Sequence, residues 1–304
     1  MMLSSNTKSM KPNISKKEIE SGQEIIDILS RSNPKLSPHH LKEIVSEYKK
    51  FTPHPEKYGL WSSKKSKIKK DETYDKIFLL ISGIAASGKD AIREEMIRLM
   101  PDLFHTAVTG TSRPPRAGEI HEKDYYFFDG PKNFKTAVKN NELVEWVQEG
   151  ERFYGLPKKS LENALQKPAK IICSQLEISA WSKMDRHLST ITETKIKTIK
   201  IFVLPHMNFS DYQNWLSQKR TDDVDARLLR TGWEIKKAAK KADFIISNRI
   251  DENSKSLTYT AQSIINQLLD FLPNTSIPKF NLPFEIKQEL SDIESILTFH
   301  DSIK

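Results

Sequence analysis

A glycine-bounded loop followed by a lysine is the clearest chemical pattern in this sequence. Gly83 and Gly88 enclose four residues, and Lys89 follows directly, which gives G-x-x-x-x-G-K. Glycines let the backbone turn tightly with its N–H groups pointing inward, and the lysine adds a mobile positive charge. A helix that begins at such a loop adds the positive potential of its N-terminus. The pattern therefore predicts a binding site for the phosphates of a nucleotide.

The residue after the lysine departs from this pattern. Asp90 stands where Ser or Thr usually offers a hydroxyl to Mg²⁺. A carboxylate also suits Mg²⁺, which prefers oxygen ligands. Without the metal, a carboxylate about 4 Å from a phosphate charge would repel it by roughly 4 kcal/mol at an effective dielectric of about 20. We therefore expect Asp90 to be a metal ligand, and nucleotide without metal to bind poorly.

A pair of arginines forms a second candidate site. Arg113 and Arg116 flank Pro114 and Pro115. The prolines hold the backbone stiff and extended, which lowers the entropy cost of aiming both guanidinium groups at one anion. Acidic and aromatic residues follow, at 123–128 (K-D-Y-Y-F-F), 142–146 (E-L-V-E-W) and 153–155 (F-Y-G). The arginine pair suits a phosphate monoester.

The elements that must position these residues follow from the apolar pattern. The run from Ile77 to Ile81 lacks Gly and Pro, which is typical of a strand buried on both faces. After the loop, Ile92, Met96 and Met100 share one helical face. Further strand-like runs at 106–108, 169–173, 199–204 and 243–247 alternate with helical stretches such as 256–272. This alternation predicts a parallel sheet flanked by helices, with ligands at the carboxyl ends of the strands.

The order of these motifs resembles the guanylate kinase family over residues 76–272. The resemblance implies an α/β P-loop kinase with a parallel sheet flanked by helices. It also implies a small mixed subdomain for the nucleoside monophosphate at about 109–168 and a helical lid at about 210–232, with ATP as the phosphoryl donor and Mg²⁺ as the cofactor. The implied ATP-binding residues are Gly83, Ala85, Ala86, Ser87, Gly88, Lys89, Asp90 and Asn248.

The resemblance also implies an acceptor site and catalytic cations. The arginines and tyrosines of that site would hold the GMP phosphate, Thr109 would approach the base, and Glu145 would accept hydrogen bonds from guanine N1–H and the 2-amino group. Arg227 is the leading candidate for neutralising charge that develops on the transferred group. The implied GMP-binding residues are Thr109, Arg113, Arg116, Tyr125, Glu145, Tyr154 and Gln175, and the implied catalytic residues are Lys89, Arg220, Arg227 and Arg230.

The sequence departs from the family pattern in several places. Leu156 replaces a hydroxyl that binds guanine O6, and Cys173 and Gln175 replace two carboxylates that organise the metal and the base. In the lid, Trp215 and Lys219 stand where arginines are usual. Gln175 can still hydrogen-bond guanine, and Asp90 is expected to restore one carboxylate to the metal. Two consequences stay open: a reduced activity or a changed acceptor.

The flanking regions, 1–75 and 273–304, lie outside the resemblance. Residues 1–75 carry 15 Lys/Arg and 10 Asp/Glu, or +5 of the net charge of +8. We predict a partly disordered extension with short helices at 16–30 and 38–51, then a basic run at 61–70 that is best interpreted as a solvated linker, with RNA, an anionic membrane or an acidic partner as alternative contacts. A Pro-rich bridge and a helix at 285–299 are predicted near the end. The single cysteine and the lack of a long apolar run predict a cytoplasmic protein.

Three functions remain open from the sequence. The first is a guanylate kinase-like transferase of purine nucleotide metabolism that moves the ATP γ-phosphoryl group to GMP. The second is a sugar-phosphate kinase, because the G-K-D triplet resembles the ribose 1,5-bisphosphate phosphokinases. The third is a weakened guanylate kinase-like module that binds phosphorylated or acidic partners. The retained Gly83, Gly88 and Lys89 argue for ATP, and Glu145 with the arginine pair argues for GMP.

Overall fold

The computed structural model describes residues 42, 44–46, 59–62, 74–219, 224–249, 255–272 and 276–282. The strands are β1 (Gly59–Ser62), β2 (Lys76–Gly83), β3 (Phe104–Thr106), β4 (Gly110–Thr111), β5 (Tyr126–Phe127), β6 (Leu143–Glu149), β7 (Arg152–Pro157), β8 (Ile171–Gln175), β9 (Ile196–Pro205) and β10 (Phe244–Asn248). The helices are α1 (Lys89–Leu99), α2 (Pro131–Lys139), α3 (Lys158–Gln166), α4 (Trp181–Leu188), α5 (Phe209–Lys219), α6 (Val224–Lys241) and α7 (Lys255–Leu269).

The larger sheet has the strand order β1-β10-β9-β2-β8-β3. The strands from β10 to β3 run parallel, and β1 joins the edge antiparallel to β10. The central strand β2 pairs with β9 on one side and β8 on the other, and its residues from Ile77 to Ile81 are at most 1% exposed. Such a strand must be apolar on both faces, which explains its unbroken run.

Helices cover both faces of this sheet. Phe78 and Leu80 face a core that includes Trp181 of α4. Leu79 and Ile81 face the opposite core, with Met96 of α1 and Ile264 of α7 among the buried residues. The alternation along β2 thus fills two cores and fixes the loop after Gly83 between them.

The smaller sheet has the order β5-β4-β7-β6 and contains both parallel and antiparallel pairs. Gly150 links β6 to β7 with φ 59°, a conformation that glycine adopts without steric cost. Behind the sheet, Phe134 of α2 stacks on Phe153 with ring centroids 5.5 Å apart. The sheet therefore has its own apolar support and can present its other face to a ligand.

Described pieces of the two flanking regions pack on this body. Ile44 and Val45 are buried in a core, and a Cβ at Gly232 of α6 would lie only 2.8 Å from Ile44 Cγ1. β1 extends the larger sheet. Near the other end, Phe280 N–H donates to Asn266 Oδ1 at 2.7 Å. The packed body therefore reaches beyond residues 76–272. Within the described ranges, no helix combines the length and apolar character that crossing a membrane requires.

The predicted fold class is confirmed, with small shifts at the ends of the elements. β3 occupies 104–106 where 106–108 was predicted, because Phe104 is buried and pairs with Ile171. The backbone still continues this pairing, since Ala107 N–H donates to Cys173 O at 2.8 Å. Two predicted helices, at 16–30 and 285–299, lie outside the described residues. Most of the helix predicted at 38–51 and most of the basic run at 61–70 also lie outside them.

Candidate active site

A cleft of about 340 Å³ lies between the carboxyl ends of β2 and β8 and the open face of the smaller sheet. Every residue predicted to bind GMP lines this one cleft, and so do Lys89, Asp90 and the catalytic candidates Arg227 and Arg230. Arg220, the remaining catalytic candidate, lies outside the described residues. The fold thus brings together side chains that are more than a hundred residues apart in the sequence.

Three side chains hold the outer side of the phosphate-binding loop, residues 83–89. The Tyr212 hydroxyl donates to Ala85 O and the Trp215 indole donates to Ala86 O, both at 3.1 Å. Asn248 Nδ2 donates to Ser87 O at 2.9 Å. In a trans peptide the C=O and the following N–H point in opposite directions, and no described peptide bond is cis. Fixing the Ala85 and Ser87 carbonyls therefore points the next N–H groups away from these side chains, as an anion site requires.

Steric limits explain both glycines of this loop. A Cβ on Gly83 would lie 2.6 Å from Val203 O, and one on Gly88 would lie 2.3 Å from Asn248 Nδ2. Gly88 also has φ 82°. Ala86 has φ 58°, which costs a residue with a Cβ about 1 kcal/mol. The loop keeps its shape despite this strain because Trp215 and Asn248 hold the flanking carbonyls.

Asn248 has a second polar atom at this site. Its Oδ1 is buried and has no hydrogen-bond partner among the described residues. The residue as a whole is 3% exposed. An amide oxygen in this position needs a donor, and the 6-amino group of adenine is one.

The metal candidate Asp90 begins α1 together with Lys89. Their side chains lie 3.7 Å apart, Lys89 Nζ to Asp90 Oδ2, and Asp90 is 54% exposed. The described residues contain no group of three or more His, Cys, Asp or Glu side chains that could hold a metal. Mg²⁺ in nucleotide kinases takes only one or two carboxylates besides phosphates and water, so a single exposed carboxylate fits it. Cys173 is fully buried, and burial raises its thiol pKa to about 12, which excludes it as a ligand.

The acceptor side of the cleft presents arginines that already have partners. Arg113 is 7% exposed and donates two hydrogen bonds of 2.6 Å to the Glu119 carboxylate. Arg113 also lies over the Tyr125 ring at 5.0 Å. Glu119 accepts from the Arg116 backbone N–H as well, and the Arg113 hydrogen bond lowers the Glu119 pKa. Glu119 thus occupies the donors of the Arg113 guanidinium and the Arg116 backbone N–H, where an anion could bind.

Glu145 is a buried acid at the other end of the acceptor side. It is 3% exposed, and this burial raises its pKa to about 7. The carboxyl group accepts a hydrogen bond from the Leu156 backbone, while Oε2 has no partner among the described residues. A ligand donor at Oε2 would compensate for the burial of the charge.

Arg230 belongs to a cluster of acids that crosses the cleft. Its guanidinium pairs with Glu149 of β6 and Glu177 after β8, and with Glu234 of α6 at 3.1 Å. Burial raises the pKa of Glu234 to about 8. These carboxylates partly compensate the Arg230 charge and so reduce the positive potential that Arg230 offers to a phosphate.

The sequence analysis missed several residues that line the cleft. Arg93 lies one helical turn after Lys89 on α1, a spacing that places both on one face. Glu119 ends the same R-P-P-R-A-G-E segment that contains the arginine pair, so its closeness to the arginines could have been inferred from the sequence. Glu149 and Glu177 come from separate parts of the chain, and their spacing in the sequence gives no signal, whereas Glu234 lies four residues after Arg230 on α6, a helical spacing that the sequence shows. The missed residues are Arg93, Glu119, Glu149, Glu177 and Glu234.

A phosphate-binding loop after a central parallel strand, facing an arginine-lined pocket on a small mixed sheet, defines the class of P-loop nucleotide kinases. The model of the family described as guanylate kinase matches residues 76–266. The chain belongs to the guanylate kinase family. This membership supports the interpretation that the protein is a nucleoside monophosphate kinase, which is a kind of transferase.

Two relatives with similar sequences agree with this assignment. The guanylate kinase of Prochlorococcus marinus subsp. pastoris is 26% identical over 186 residues, which is 60% of this chain and 95% of that protein. The guanylate kinase of Wolbachia pipientis wMel is 27% identical over 194 residues, 63% of this chain and 90% of that one. The crystal structure of guanylate kinase from Anaplasma phagocytophilum aligns at a TM-score of 0.46 and 22% identity, covering 67% of this chain and 89% of that chain.

Proposed function

We propose that this protein transfers the γ-phosphoryl group of ATP to GMP, which gives ADP and GDP. The observation that supports this most is the meeting of every predicted acceptor residue with Lys89 and Arg227 in one cleft. A phosphoryl donor bound at the loop and an acceptor bound at the smaller sheet would then lie side by side. Residues 76–272 form the kinase domain in this proposal, with the acceptor part at about 109–168 and the lid at about 210–232.

The phosphate-binding loop holds the ATP phosphates. The N–H groups opposite the carbonyls fixed by Tyr212 and Asn248 are oriented before the ligand arrives, so binding costs little reorganisation. Lys89 adds an ammonium group at the same place. Asn248 Oδ1 accepts a hydrogen bond from the adenine 6-amino group, which selects ATP against nucleotides with a 6-oxo group.

The arginine pair holds the GMP phosphate. On binding, that phosphate takes over the Arg113 donors that Glu119 occupies in the free protein. Arg116, Tyr125 and Tyr154 line the same part of the cleft and complete the contacts. Glu145 accepts from the guanine base at its unpartnered Oε2. The acceptor is thus fixed at both ends, which sets the attacking oxygen in line with the donor.

The transfer itself is a direct displacement. A phosphate oxygen of GMP forms a bond to the γ-phosphorus, and the bond from that phosphorus to the β–γ bridging oxygen breaks, so ADP leaves with the electron pair. Arg227 and Lys89 neutralise the charge that develops on the transferred group. Mg²⁺, when bound at Asp90, supplies further charge neutralisation on the donor phosphates. Protein residues form no covalent intermediate.

An assay of ADP release tests the proposal. The full chain is incubated with Mg-ATP and a panel of acceptors: GMP, dGMP, AMP and ribose 1,5-bisphosphate. The proposal predicts turnover with GMP and dGMP and none above background with ribose 1,5-bisphosphate. ADP release that does not depend on GMP would contradict it.

The two alternative functions gain no support from these findings. Family membership does not favour a sugar-phosphate kinase or a binding module. The cytoplasmic location stays a prediction, and nothing supports a nucleic acid or acidic partner for residues 61–70.

A further inference from the structure

A short helical piece of the chain lies far outside the region that the guanylate kinase model matches. It consists of residues 42 and 44–46, which we call the docked segment. Ile44 and Val45 of this segment are buried. Both belong to the buried cluster that also contains Leu228 of α6. The docked segment is therefore part of the core beside α6.

The contact between the docked segment and α6 depends on Gly232. A Cβ added to Gly232 would lie 2.8 Å from Ile44 Cγ1 and 3.3 Å from Ile44 Cα. Non-bonded carbon atoms pack best at about 3.5 Å or more, so no larger residue fits without a shift. Gly232 lies inside α6 and has no positive φ, so its backbone conformation does not require glycine. Since glycine weakens a helix interior, the close approach of Ile44 is the structural reason for it here.

The other side of α6 faces the cleft. Arg227, Arg230 and Glu234 line the cleft, and their spacing of three and four residues places them on one face of the helix. At about 100° per residue, Gly232 lies roughly opposite this face. Helix α6 thus lies between the cleft and the docked segment, and Ile44 supports it from behind.

Helix α6 is also joined to the phosphate-binding loop. Thr231, next to Gly232, is fully buried, and its hydroxyl donates to Arg227 O at 2.9 Å. The same hydroxyl oxygen lies 3.5 Å from the Tyr212 hydroxyl, which donates to Ala85 O of the loop. A shift of α6 would therefore move Arg227 and disturb the support of the loop.

We propose that the docked segment fixes α6 against the cleft and that Ile44 is a positioning residue for Arg227. This inference rests on the proposed phosphoryl transfer and adds to it a part of the chain that the family resemblance does not cover. A displacement of about 1 Å in a group that stabilises a transition state can cost about a hundredfold in rate. Loss of the Ile44 contact therefore slows the chemical step, while the affinity for GMP, which depends on the smaller sheet, is kept.

Substitutions of Ile44 in the full chain test this role by ADP release with Mg-ATP and GMP. Ile44→Ala deletes Cγ1 and is expected to lower kcat about tenfold, with KM for GMP within about twofold of the wild-type value. Ile44→Val keeps a Cγ1 atom and should retain at least about half of kcat. The control is Leu103→Ala, a comparable deletion at a buried residue beside the amino end of β8, where Ile171 N–H donates to Leu103 O. It should leave kcat per folded molecule unchanged.

Gly232→Ala changes the same contact from the helix side. Alanine is the better helix former, so α6 itself is not weakened, but the new Cβ displaces Ile44. We expect kcat to fall about tenfold. In the double variant with Ile44→Ala, kcat should recover to within about threefold of the wild-type value, because the added methyl group occupies the vacated space. Losses that simply add in the double variant would overturn the proposed role of this contact.

Hydrogen exchange separates this inference from the proposed function, because it needs no acceptor. In Ile44→Ala, the amides of residues 228–235 should exchange at least about tenfold faster than in Leu103→Ala. An unchanged kcat in Ile44→Ala would overturn the inference and leave transfer to GMP intact. If Ile44→Ala does not fold, an unchanged kcat in Gly232→Ala would overturn it. If the wild-type protein does not phosphorylate GMP, the proposed function fails, and unchanged exchange in α6 would overturn the inference as well.

Discussion

The two halves of the cleft offer different kinds of groups to the anions that they are proposed to bind. On the donor side, the phosphate-binding loop uses backbone N–H groups, and three uncharged side chains hold the loop from behind. On the acceptor side, the cationic groups are arginine side chains, and Arg113 and Arg230 are paired with carboxylates in the free protein. One half is fixed, and the other must exchange partners when a ligand binds.

This difference follows from how each half is built. Backbone dipoles at the carboxyl end of a buried strand keep their orientation because the core behind them is packed. The buried Arg113 guanidinium needs a carboxylate partner in the free protein, and Glu119 supplies it. In the proposed function, the acceptor site would hold only an anion that displaces a carboxylate, which favours selectivity over affinity.

Lys89→Ala removes the charge of the fixed half and has the largest expected effect. We expect kcat for GMP phosphorylation to fall by about a thousandfold, because the ammonium group that neutralises charge on the donor phosphates is lost. The measurement is ADP release with saturating Mg-ATP and GMP. Lys139→Ala on the exposed end of α2 is the control. Retention of more than about a tenth of the activity in Lys89→Ala would argue against a phosphate site at the loop.

Arg113→Lys tests the exchanging half. The charge stays, but the bidentate geometry is lost, so KM for GMP is expected to rise about a hundredfold with little change in KM for ATP. Arg98→Lys is a matched control, because Arg98 makes the same two-bond contact with Glu95 of α1 away from the cleft. An equal rise in both KM values would show that Arg113 supports the fold and not the acceptor phosphate.

The pH dependence of acceptor use tests Glu145. Burial raises its pKa to about 7 from 4.5, and only the ionised form accepts hydrogen bonds with both oxygens. We expect kcat/KM for GMP to rise about tenfold between pH 6 and pH 8, while KM for ATP stays level. Glu145→Gln should flatten this profile. The same slope in Glu145→Gln would assign the pH effect to another group.

The raised pKa of Glu145 also makes the stability of the folded protein depend on pH. Between pH 4.5 and about 7 the folded protein keeps the Glu145 proton that the unfolded chain releases. The contribution of this group to the free energy of unfolding therefore decreases as pH rises through that window. Urea unfolding of Glu145→Gln and of the wild-type protein at pH 5 and pH 7.5 measures the difference.

The side chains behind the phosphate-binding loop give the smallest expected effect. Trp215→Phe and Tyr212→Phe each remove one hydrogen bond to a loop carbonyl and keep the aromatic ring. Each should raise KM for ATP about three- to tenfold, in line with about 1 kcal/mol per hydrogen bond, and leave KM for GMP unchanged. Trp233→Phe, at a position 43% exposed on α6, is the control. An effect on GMP alone would contradict a fixed donor half.

The fold was predictable where a single strong pattern decided it. The apolar run of β2 and the glycines of the following loop have few structural solutions, and both appear as predicted. The added strand β1 was not predictable, because Gly59–Ser62 is short and depends on its long-range pairing with β10. Likewise, the short strands β4 and β5 depend on the sheet around them.

The sequence predicted many of the residues that line the site, but it did not predict which of them form ion pairs with one another. Arg113 and Glu145 come from motifs that can be read directly, and both line the cleft. Arg230 was predicted as a catalytic cation, yet two carboxylates from distant segments, Glu149 and Glu177, pair with it, as does Glu234 one helical turn further on α6. No local pattern encodes the two distant contacts, because they depend on the packing of β6, β8 and α6. The roles of these residues stay predictions.

A crystal structure with adenosine and guanosine joined through five phosphates would test the central claim most directly. The account predicts adenosine phosphates along residues 83–89 and the guanosine end at the smaller sheet, with Arg113 turned from Glu119 to a phosphate oxygen. The hydrogen bonds to Ala85 O, Ala86 O and Ser87 O should be unchanged. A complex in which Arg113 keeps its pairing with Glu119 while the guanosine lies outside the cleft would contradict the account.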